Sequence, residues 1–484
     1  MSETFEHYAL NAMAKVIGAE HVRRDAETCR YFSSDLFFDA EFPAMAVVSP
    51  ATREEVAHVI QIATDESVSI VPRGGGLSYS GGYVTQDSRS IILDTTRLTR
   101  ILEINEEDQY VTVEAGVTWQ VLDDEVAKHG LRVPHFGPAS GRVSTVGGGL
   151  SQNTILFGSA THGSIADHVL SLEVALPDGS RVKTGSGAIR DGQPFFRYHG
   201  PDVGGLFLGD CGALGVKLSA TLQLMPRPTA FGYASFAFPT FEAMITGQAE
   251  VGRARLAADI LGTGTYIPPY RDESDAKPVM HIVVEGDSEI DVAHRLDRLR
   301  TIAAHQGVET DPTVPQVLRT HPFGFVSSLL DDDGRLQSWT HGLVPFSRGL
   351  HMLSCLTATL NAEAELIERS GIDITISATV VRNALLIEPI IRWRDQPRPI
   401  QLNGLGDPAT PWQGTADAAA TDAAVQLRRS LRDLFRREAA AHLQIGKYYG
   451  FREGLIDDSD GLLMRLKHAL DPHDRMNPGA LGLG

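Results

Sequence analysis

Apolar residues recur at helical spacing at Val56, Val59, Ile60 and Ala63, behind a Thr52/Glu55 pair with the T-x-x-E spacing of a capping box. The pattern predicts a helix running to about Thr64. The run SVSIVP that follows is short and β-branched, a strand that feeds the glycine-dense loop RGGGLSYSGG from Arg73 to Gly82. SIILD and YVTVEAG carry further β-branched runs, and TWQVLDDEVAKHG reads as a helix starting near Thr118 and stopped by Gly130. In VLSLEVALPDGSRVKTG two strand-like runs flank Pro177, Asp178 and Gly179, whose turn chemistry predicts a hairpin.

From about Thr229 the texture changes. FGYASFAF, FEAMITGQAEVGRARLAADI, KPVMHIVVEGD and EIDVAHRLDRLRTIAAHQG alternate strand-like with helix-like segments, and MLSCLTATLNAEAELIERSG and ALLIEPIIRWR continue the alternation. This is the pattern of an α+β sheet layered with helices on one face. Near Asp395 the chain enters QPRPIQLNGLGDPATPWQGTADAAAT, rich in Pro, Gly and Ala and without periodicity, which is read as a surface excursion. A helix around AVQLRRSLRDLFRREAAAHL follows, and the chain closes with MRLKHALDPHDRMNPG.

Length and charge narrow the classes. A chain of 484 residues exceeds one compact core, so at least two domains are expected. The net charge of −18, with no Lys/Arg-rich block, is poor footing for phosphate-backbone contacts and argues against a nucleic-acid partner. The opening residues lack a basic stretch followed by an apolar one, and no run approaches the length of a membrane span, so a cytoplasmic protein is expected. Cys29, Cys211 and Cys355 are far apart and are read as reduced, buried thiols.

PRGGGLSYSGG strips side chains from the backbone, and consecutive free N–H groups form anion-binding nests to which Ser78 and Ser80 add hydroxyl donors. A pyrophosphate is the natural guest, with a plain tight loop as the alternative. The motif is neither G-x-x-x-x-G-K-[ST] nor a dinucleotide fingerprint, because no amphipathic helix follows it. STVGGGLSQNTILFGSATHGSIADHVL then brings a second glycine cluster some seventy residues later.

With these two loops, in this order, the chain resembles the vanillyl-alcohol oxidase / para-cresol methylhydroxylase flavoproteins. The likeness also takes in YVTVEAGVTWQVLDDEVAKHG, the LPDGS hairpin, GPDVGGLFLGDCGALGV with LQLMPRP, and the terminal DPHDRMNPG. The resemblance implies an α+β chain: a two-part FAD-binding domain of the PCMH type formed by both chain ends, and an α+β cap domain with an antiparallel sheet. Residues 1–228 would form the FAD domain, 229–429 the substrate cap, and 430–484 the segment returning to the FAD domain. By the same resemblance Pro72, Arg73, Gly74, Gly75, Gly76, Leu77, Ser78, Ser80 and Gly81 cradle the pyrophosphate. Val146, Gly147, Gly148, Gly149 and Ser151, with Pro138 and the loop holding Gly158, His162, Gly163 and Ile165, line the flavin and ribityl chain. Asp210, Gly212, Leu214, Gly215 and Val216 flank the adenine or isoalloxazine, and Asn477 closes the domain.

Departures from the family pattern are equally informative. Members that tether FAD through the first loop have a histidine where this chain has Leu77, doubly tethered ones add a cysteine near Val143, and members tethered from the cap have a histidine where Ala384, Leu385 and Leu386 stand. Non-covalent FAD is therefore expected. A second branch resembles glycolate oxidase and D-lactate dehydrogenase, whose H-x-G-D-G-N-x-x-H metal run is replaced here by ITISATVVRNALLIEP, so no metal site is expected.

Hydride transfer to flavin N5 needs a base for the hydroxyl proton and a group for the developing oxyanion. Tyr448, Tyr449 and Arg452 in GKYYGFREG are the first candidates, each also readable as packing. His442 and His341 are candidate bases, and Arg382 and Arg392 candidate anion anchors. The implied reaction is oxidation of an alcohol or benzylic carbon, an aromatic alcohol or para-substituted phenol being favoured, with oxygen or an electron carrier as acceptor. A D-2-hydroxy-acid dehydrogenase, a nicotinamide-dependent reductase of the same fold and a catalytically silent FAD-binding subunit remain open, as does a homodimer.

Overall fold

Thr52 accepts a hydrogen bond from the Glu55 amide and Glu55 reaches back to the Thr52 amide, so the helix Arg53–Asp65 begins at its capping box. This is seen in the computed structural model, which describes residues 2–269, 277–324, 330, 334–403 and 415–483. The apolar face of that helix packs with Val48, Ile70 and Ile91 of a four-stranded sheet. There Ala46–Val48 and Ser69–Arg73 flank Ser90–Asp94 in parallel, and Val22–Arg23 adds an antiparallel edge. The strand Ser69–Arg73 runs straight into the first glycine loop.

A five-stranded antiparallel sheet lies beside it, built from Ile101–Asn105, Tyr110–Glu114, Val216–Gln223, Val169–Ala175 and Arg181–Lys183. Its last two strands are the hairpin expected around Asp178, with Gly179 at φ +81°. The helix Trp119–Ala127 is capped by Thr118, and Gly130 takes φ +66° beyond its end.

Residues 230–393 supply an eight-stranded sheet whose pairings are all antiparallel. The helices Phe241–Ala254, Glu289–Ala303, Gly349–Ala362 and Ala418–Arg437 share one hydrophobic core with it. Strand alternation decides which residues enter that core. In Ala384–Trp393, Leu385, Ile387, Ile391 and Trp393 face the helices, and Leu386, Glu388, Ile390 and Arg392 face the other way. Of the Pro- and Gly-rich excursion, Pro399–Asn403 is helical and 404–414 lie outside the described residues.

The helix Ala418–Arg437 crosses residue 430 unbroken, because Leu427, Leu431, Leu434 and Phe435 form one apolar stripe against the large sheet. The return to the first sheets therefore starts beyond it. Met476 bridges Ile70 in parallel, and the Asn477 side chain donates to the carbonyls of Gly82 (2.8 Å) and Cys211 (2.6 Å). Among the described residues no helix is long and apolar enough to cross a membrane.

Arg428, on the long helix, is 1% exposed. Its guanidinium donates to the carbonyls of Tyr79 (3.0 Å) and Trp339 (3.3 Å) and to Thr340 Oγ1 (3.2 Å), and lies over the rings of Phe37 (3.8 Å) and Tyr448 (4.4 Å). It joins the first glycine loop to the large sheet. Arg428→Ala leaves those carbonyls buried without a donor and opens a void, so a loss of about 3 kcal/mol in urea unfolding is expected, with weakened flavin retention on gel filtration.

Candidate active site

Between the first glycine loop and the large sheet lies a cavity of about 850 Å³. One wall is the backbone from Pro72 through Arg73, Gly74, Gly75, Gly76, Leu77 and Ser78 to Tyr79. A second wall is Pro138 with Gly147, Gly148, Gly149 and Ser151, and a third is Gly212, Gly215 and Val216 with Lys217. The large sheet closes the cavity with Gln337, Trp339, Thr379, Leu386, Glu388, Ile390 and Arg392.

The first loop is held open by specific contacts. Gly76 and Gly81 take φ of +74° and +71°. The Arg73 guanidinium folds beneath Gly76, over the Phe32 ring at 4.4 Å, and a Cβ on Gly76 would meet its Nη2 at 2.1 Å. Tyr83 donates to the Gly76 carbonyl (2.5 Å), and the buried Asp35 carboxylate accepts from Gly81 (2.6 Å), Phe37 (2.8 Å) and Phe38 (2.6 Å). Gly75 has no positive φ; its constraint is contact, since a Cβ would lie 2.1 Å from the Val143 carbonyl oxygen. The second glycine cluster is a short helix, Val146–Gln152, capped by Thr145. Its glycines have no positive φ either, and side chains at Gly147 and Gly149 would strike Ala115 (2.7 Å) and Trp119 (2.8 Å).

Several expected cofactor contacts lie outside the cavity wall: Ser80, Gly81, Val146, Gly158, His162, Gly163, Ile165, Asp210, Leu214 and Asn477. Each has work elsewhere. The Gly158 amide donates to Asp259 (2.6 Å), and the His162 carbonyl accepts from Arg382 (2.9 Å), so this segment docks onto the large sheet. Asp210 holds Lys217 (2.6 Å) and turns the chain by accepting from the Gly212 amide (3.1 Å), while the Ser80 carbonyl accepts from the Lys447 amide (2.9 Å).

Of the expected catalytic side chains, only Arg392 lines the cavity, donating to Thr375 Oγ1 at 2.7 Å. Arg452 is ion-paired with Asp460 (2.6 Å), and Arg382 is bound to Asp167 (3.4 Å) at the surface. Tyr448 belongs to the aromatic cage around Arg428. The Tyr449 hydroxyl accepts from the His341 amide (2.9 Å), His442 donates from Nδ1 to the His341 carbonyl (2.9 Å), and the rings of His442 and Tyr449 stack at 4.1 Å. Burial pushes His341 down to about 3 and His442 to about 4, so both are neutral packing partners that sew the segment before Gly342 to the C-terminal segment.

Sequence reasoning missed Tyr79, Lys217, Trp339, Glu388 and Gln444, all on the cavity wall. The available signal was strand alternation, which puts Glu388 and Arg392 on one face of LLIEPIIRW. The expected absence of a metal run concerns this cavity. Elsewhere, His351, Cys355 and Glu438 bring ligand atoms within 4.8 Å of one another, and none of the three lines the cavity.

The residues present fit a flavin dinucleotide. From Gly74 to Gly76, within the stretch where the diphosphate is expected, the wall is bare backbone, and Thr154 Oγ1 is buried at the wall without a hydrogen-bond partner. Gly75→Val must push the first loop away from Val143 and deform the cradle, so the purified variant is expected to keep its far-ultraviolet dichroism and lose most of its flavin absorbance.

Comparison with known proteins gives the same cofactor. The FAD binding domain family matches residues 44–185. The chain is 32% identical over 210 residues to D-lactate dehydrogenase of Archaeoglobus fulgidus, covering 43% of this chain and 45% of that protein. It is 32% identical over 183 residues to glycolate oxidase subunit GlcD of Bacillus subtilis, covering 38% and 37%. The aligned stretch thus spans less than half of either relative. Among solved structures, 4-ethylphenol oxidase from Gulosibacter chungangensis superposes with a TM-score of 0.78 at 17% identity, over 99% of this chain and 97% of that one. p-Cresol methylhydroxylase superposes with a TM-score of 0.77 at 16% identity, over 99% and 97%. The chain is therefore an FAD-binding flavoprotein with the PCMH-type fold, its FAD binding domain matched over residues 44–185.

Proposed function

We propose that this flavoprotein is an FAD-dependent oxidoreductase that takes a hydride from an alcohol or benzylic carbon, with an aromatic alcohol or para-substituted phenol as the preferred substrate. The observation that carries the reading is the cavity shared by the glycine loops and the polar face of the strand Ala384–Trp393. A cofactor cradle and a set of chemically active side chains open on one space. Tyr79 and Trp339, with ring centroids 5.1 Å apart and planes tilted by 37°, put two aromatic rings on that wall for a substrate ring to pack against. Burial raises the Tyr79 phenol well above its usual range, so it serves as a neutral donor.

FAD, when bound, supplies the two-electron acceptor. This chain's own residues hold it, exclude water and manage the proton. The glycine backbone from Gly74 to Gly76 holds the diphosphate, with Lys217 as a nearby cation on the wall. Oxygen or an electron carrier then removes the electrons. Arg392 favours a second reading, a D-2-hydroxy acid whose carboxylate it would grip, in keeping with the D-lactate dehydrogenase and glycolate oxidase relatives.

A substrate panel without air separates these readings. Bleaching of the flavin by 4-hydroxybenzyl or vanillyl alcohol, faster than by D-lactate or glycolate, supports the first. The reverse order supports the second, and no bleaching by any of them leaves a silent FAD-binding subunit. Exhaustive chelation is expected to leave the reduction rate unchanged; loss restored by zinc would overturn the metal-free reading.

The flavin is proposed to be held without a covalent bond. Leu77, Val143 and Leu385 cannot tether it, and the cysteine on the cavity wall, Cys211, is pushed up to about 12 by burial and so remains a thiol. Acid precipitation is expected to give a colourless pellet and a yellow supernatant. Colour kept in the pellet would point to Cys211 or to the wall histidine His321.

A further inference from the structure

Among the described residues Glu388 is the carboxylate on the cavity wall, and nothing in the proposed function uses it. It stands in Ala384–Trp393 with its side chain on the cavity face, opposite Ser377 in register. Its side chain is 19% exposed, and what it is exposed to is the cavity. We infer that Glu388 is the general base of the reaction, taking the proton of the substrate hydroxyl. The inference rests on the proposed alcohol oxidation.

Its surroundings fit that task. His341 Nε2 lies 2.7 Å from the Leu443 carbonyl and 3.2 Å from the Leu443 amide, so the ring is anchored to that one residue. Its Nδ1 lies 3.7 Å from the Glu388 carboxylate and 3.3 Å from the Tyr449 hydroxyl, and burial keeps the ring uncharged. A neutral imidazole gives the carboxylate no compensating charge. Among the described residues, its other titratable neighbours include Tyr79 from the glycine loop and Tyr449 from the C-terminal segment, both held neutral by burial. Arg392 stands four residues along the same strand and is engaged by Thr375, and the Arg428 guanidinium is turned to the Tyr79 and Trp339 carbonyls. Desolvation therefore governs Glu388 and pushes it up to about 7, where a carboxylate can both receive a proton and release it near neutral pH.

The step balances with the cofactor already assigned. The substrate O–H bond breaks to Glu388, the carbinol C–H leaves with its electron pair for the flavin, the carbon is oxidised by two electrons to a carbonyl, and the flavin is reduced. Glu388 then returns its proton to solvent.

The test compares wild type, Glu388→Gln and Glu388→Asp as FAD-loaded proteins. Anaerobic bleaching by the best alcohol of the panel is followed from below to above neutral pH. The base must be ionised, so wild-type reduction rises with pH through about 7 and then levels. Glu388→Gln is expected to be slower by about 10²-fold or more without that limb, and Glu388→Asp to be slowed while keeping it. A second readout needs no substrate. A carboxyl raised in the folded state stabilises it below the ordinary glutamate value of 4.5, and the contribution is lost as pH rises through about 7. The melting temperature of wild type relative to Glu388→Gln should therefore fall across that window. A Glu388→Gln enzyme as fast as wild type, with the same pH limb, overturns the assignment and leaves the oxidation standing. A melting difference flat with pH also overturns it, because the carboxyl would then titrate normally. If wild type retains FAD and no alcohol bleaches it, the oxidation falls and the role of Glu388 falls with it.

Discussion

Arg428 is a cation buried among carbonyls and aromatic rings, and the active-site architecture hangs on it. Removing a guanidinium from water costs several kcal/mol. Here the charge is offset by the Tyr79 and Trp339 carbonyls, by Thr340, and by the faces of Phe37 and Tyr448. Hydrogen bonds from a charged donor contribute about 1.5–3 kcal/mol each and desolvated cation–π contacts about 2 kcal/mol, so the site is stable only when every partner is in place. Those partners come from the loop after Ser33, the first glycine loop, the large sheet and the C-terminal segment. The cofactor cradle and the sheet that faces it are thereby fixed to one another through a single side chain, and the two aromatic residues they lend to the cavity, Tyr79 and Trp339, are set at 5.1 Å.

A second constraint is the two-residue period of the strand Ala384–Trp393. Its helix-facing positions are aliphatic or aromatic and its cavity-facing positions include Glu388 and Arg392, so a shift of one residue would bury both charges in the core. Pairing on both sides, with Asp373–Val381 over its whole length and with Leu336–Trp339 and Gly342–Pro345 along the other edge, holds that register. Packing energy in the helical layer therefore positions the side chains that face the cavity.

Much of this was legible along the chain. The Thr52 capping box, the Asp178 hairpin and the first glycine loop carry their geometry in local residue types, and the structure has them where those types put them. What local pattern cannot carry is the identity of the neighbour. Tyr448, Tyr449 and His442 look like catalytic groups because they are polar aromatics next to a returning segment, yet Tyr448 is spent on Arg428 of the preceding helix and the other two on His341, which lies far off in sequence. The second glycine cluster reads as a second loop of the same chemistry, but it is a helix in which Gly147 and Gly149 allow close packing against Ala115 and Trp119. Glu388 was passed over within an apolar run, although a lone carboxylate at the alternate position of a buried strand is itself the signal.

Charge links the cavity to the whole molecule. The chain carries −18, whereas among the described residues the charged side chains on the cavity wall are Arg73, Lys217, Arg392 and Glu388, with Lys217 paired to Asp210 behind the wall. Arg73 sets a fixed positive charge beside the glycine backbone, and low-dielectric walls strengthen its pull on an anionic cofactor. Arg73 stays beneath the glycine loop through the rings of Phe32, Tyr83 and Tyr31, and Lys217 is restrained by Asp210, so each cation is fixed before any ligand arrives. Once a diphosphate neutralises that end, the remaining opposition is between Glu388 and Arg392 on one strand face. On the proposed reading that pair divides a substrate between a proton acceptor and an anion anchor, with both groups already fixed on one strand.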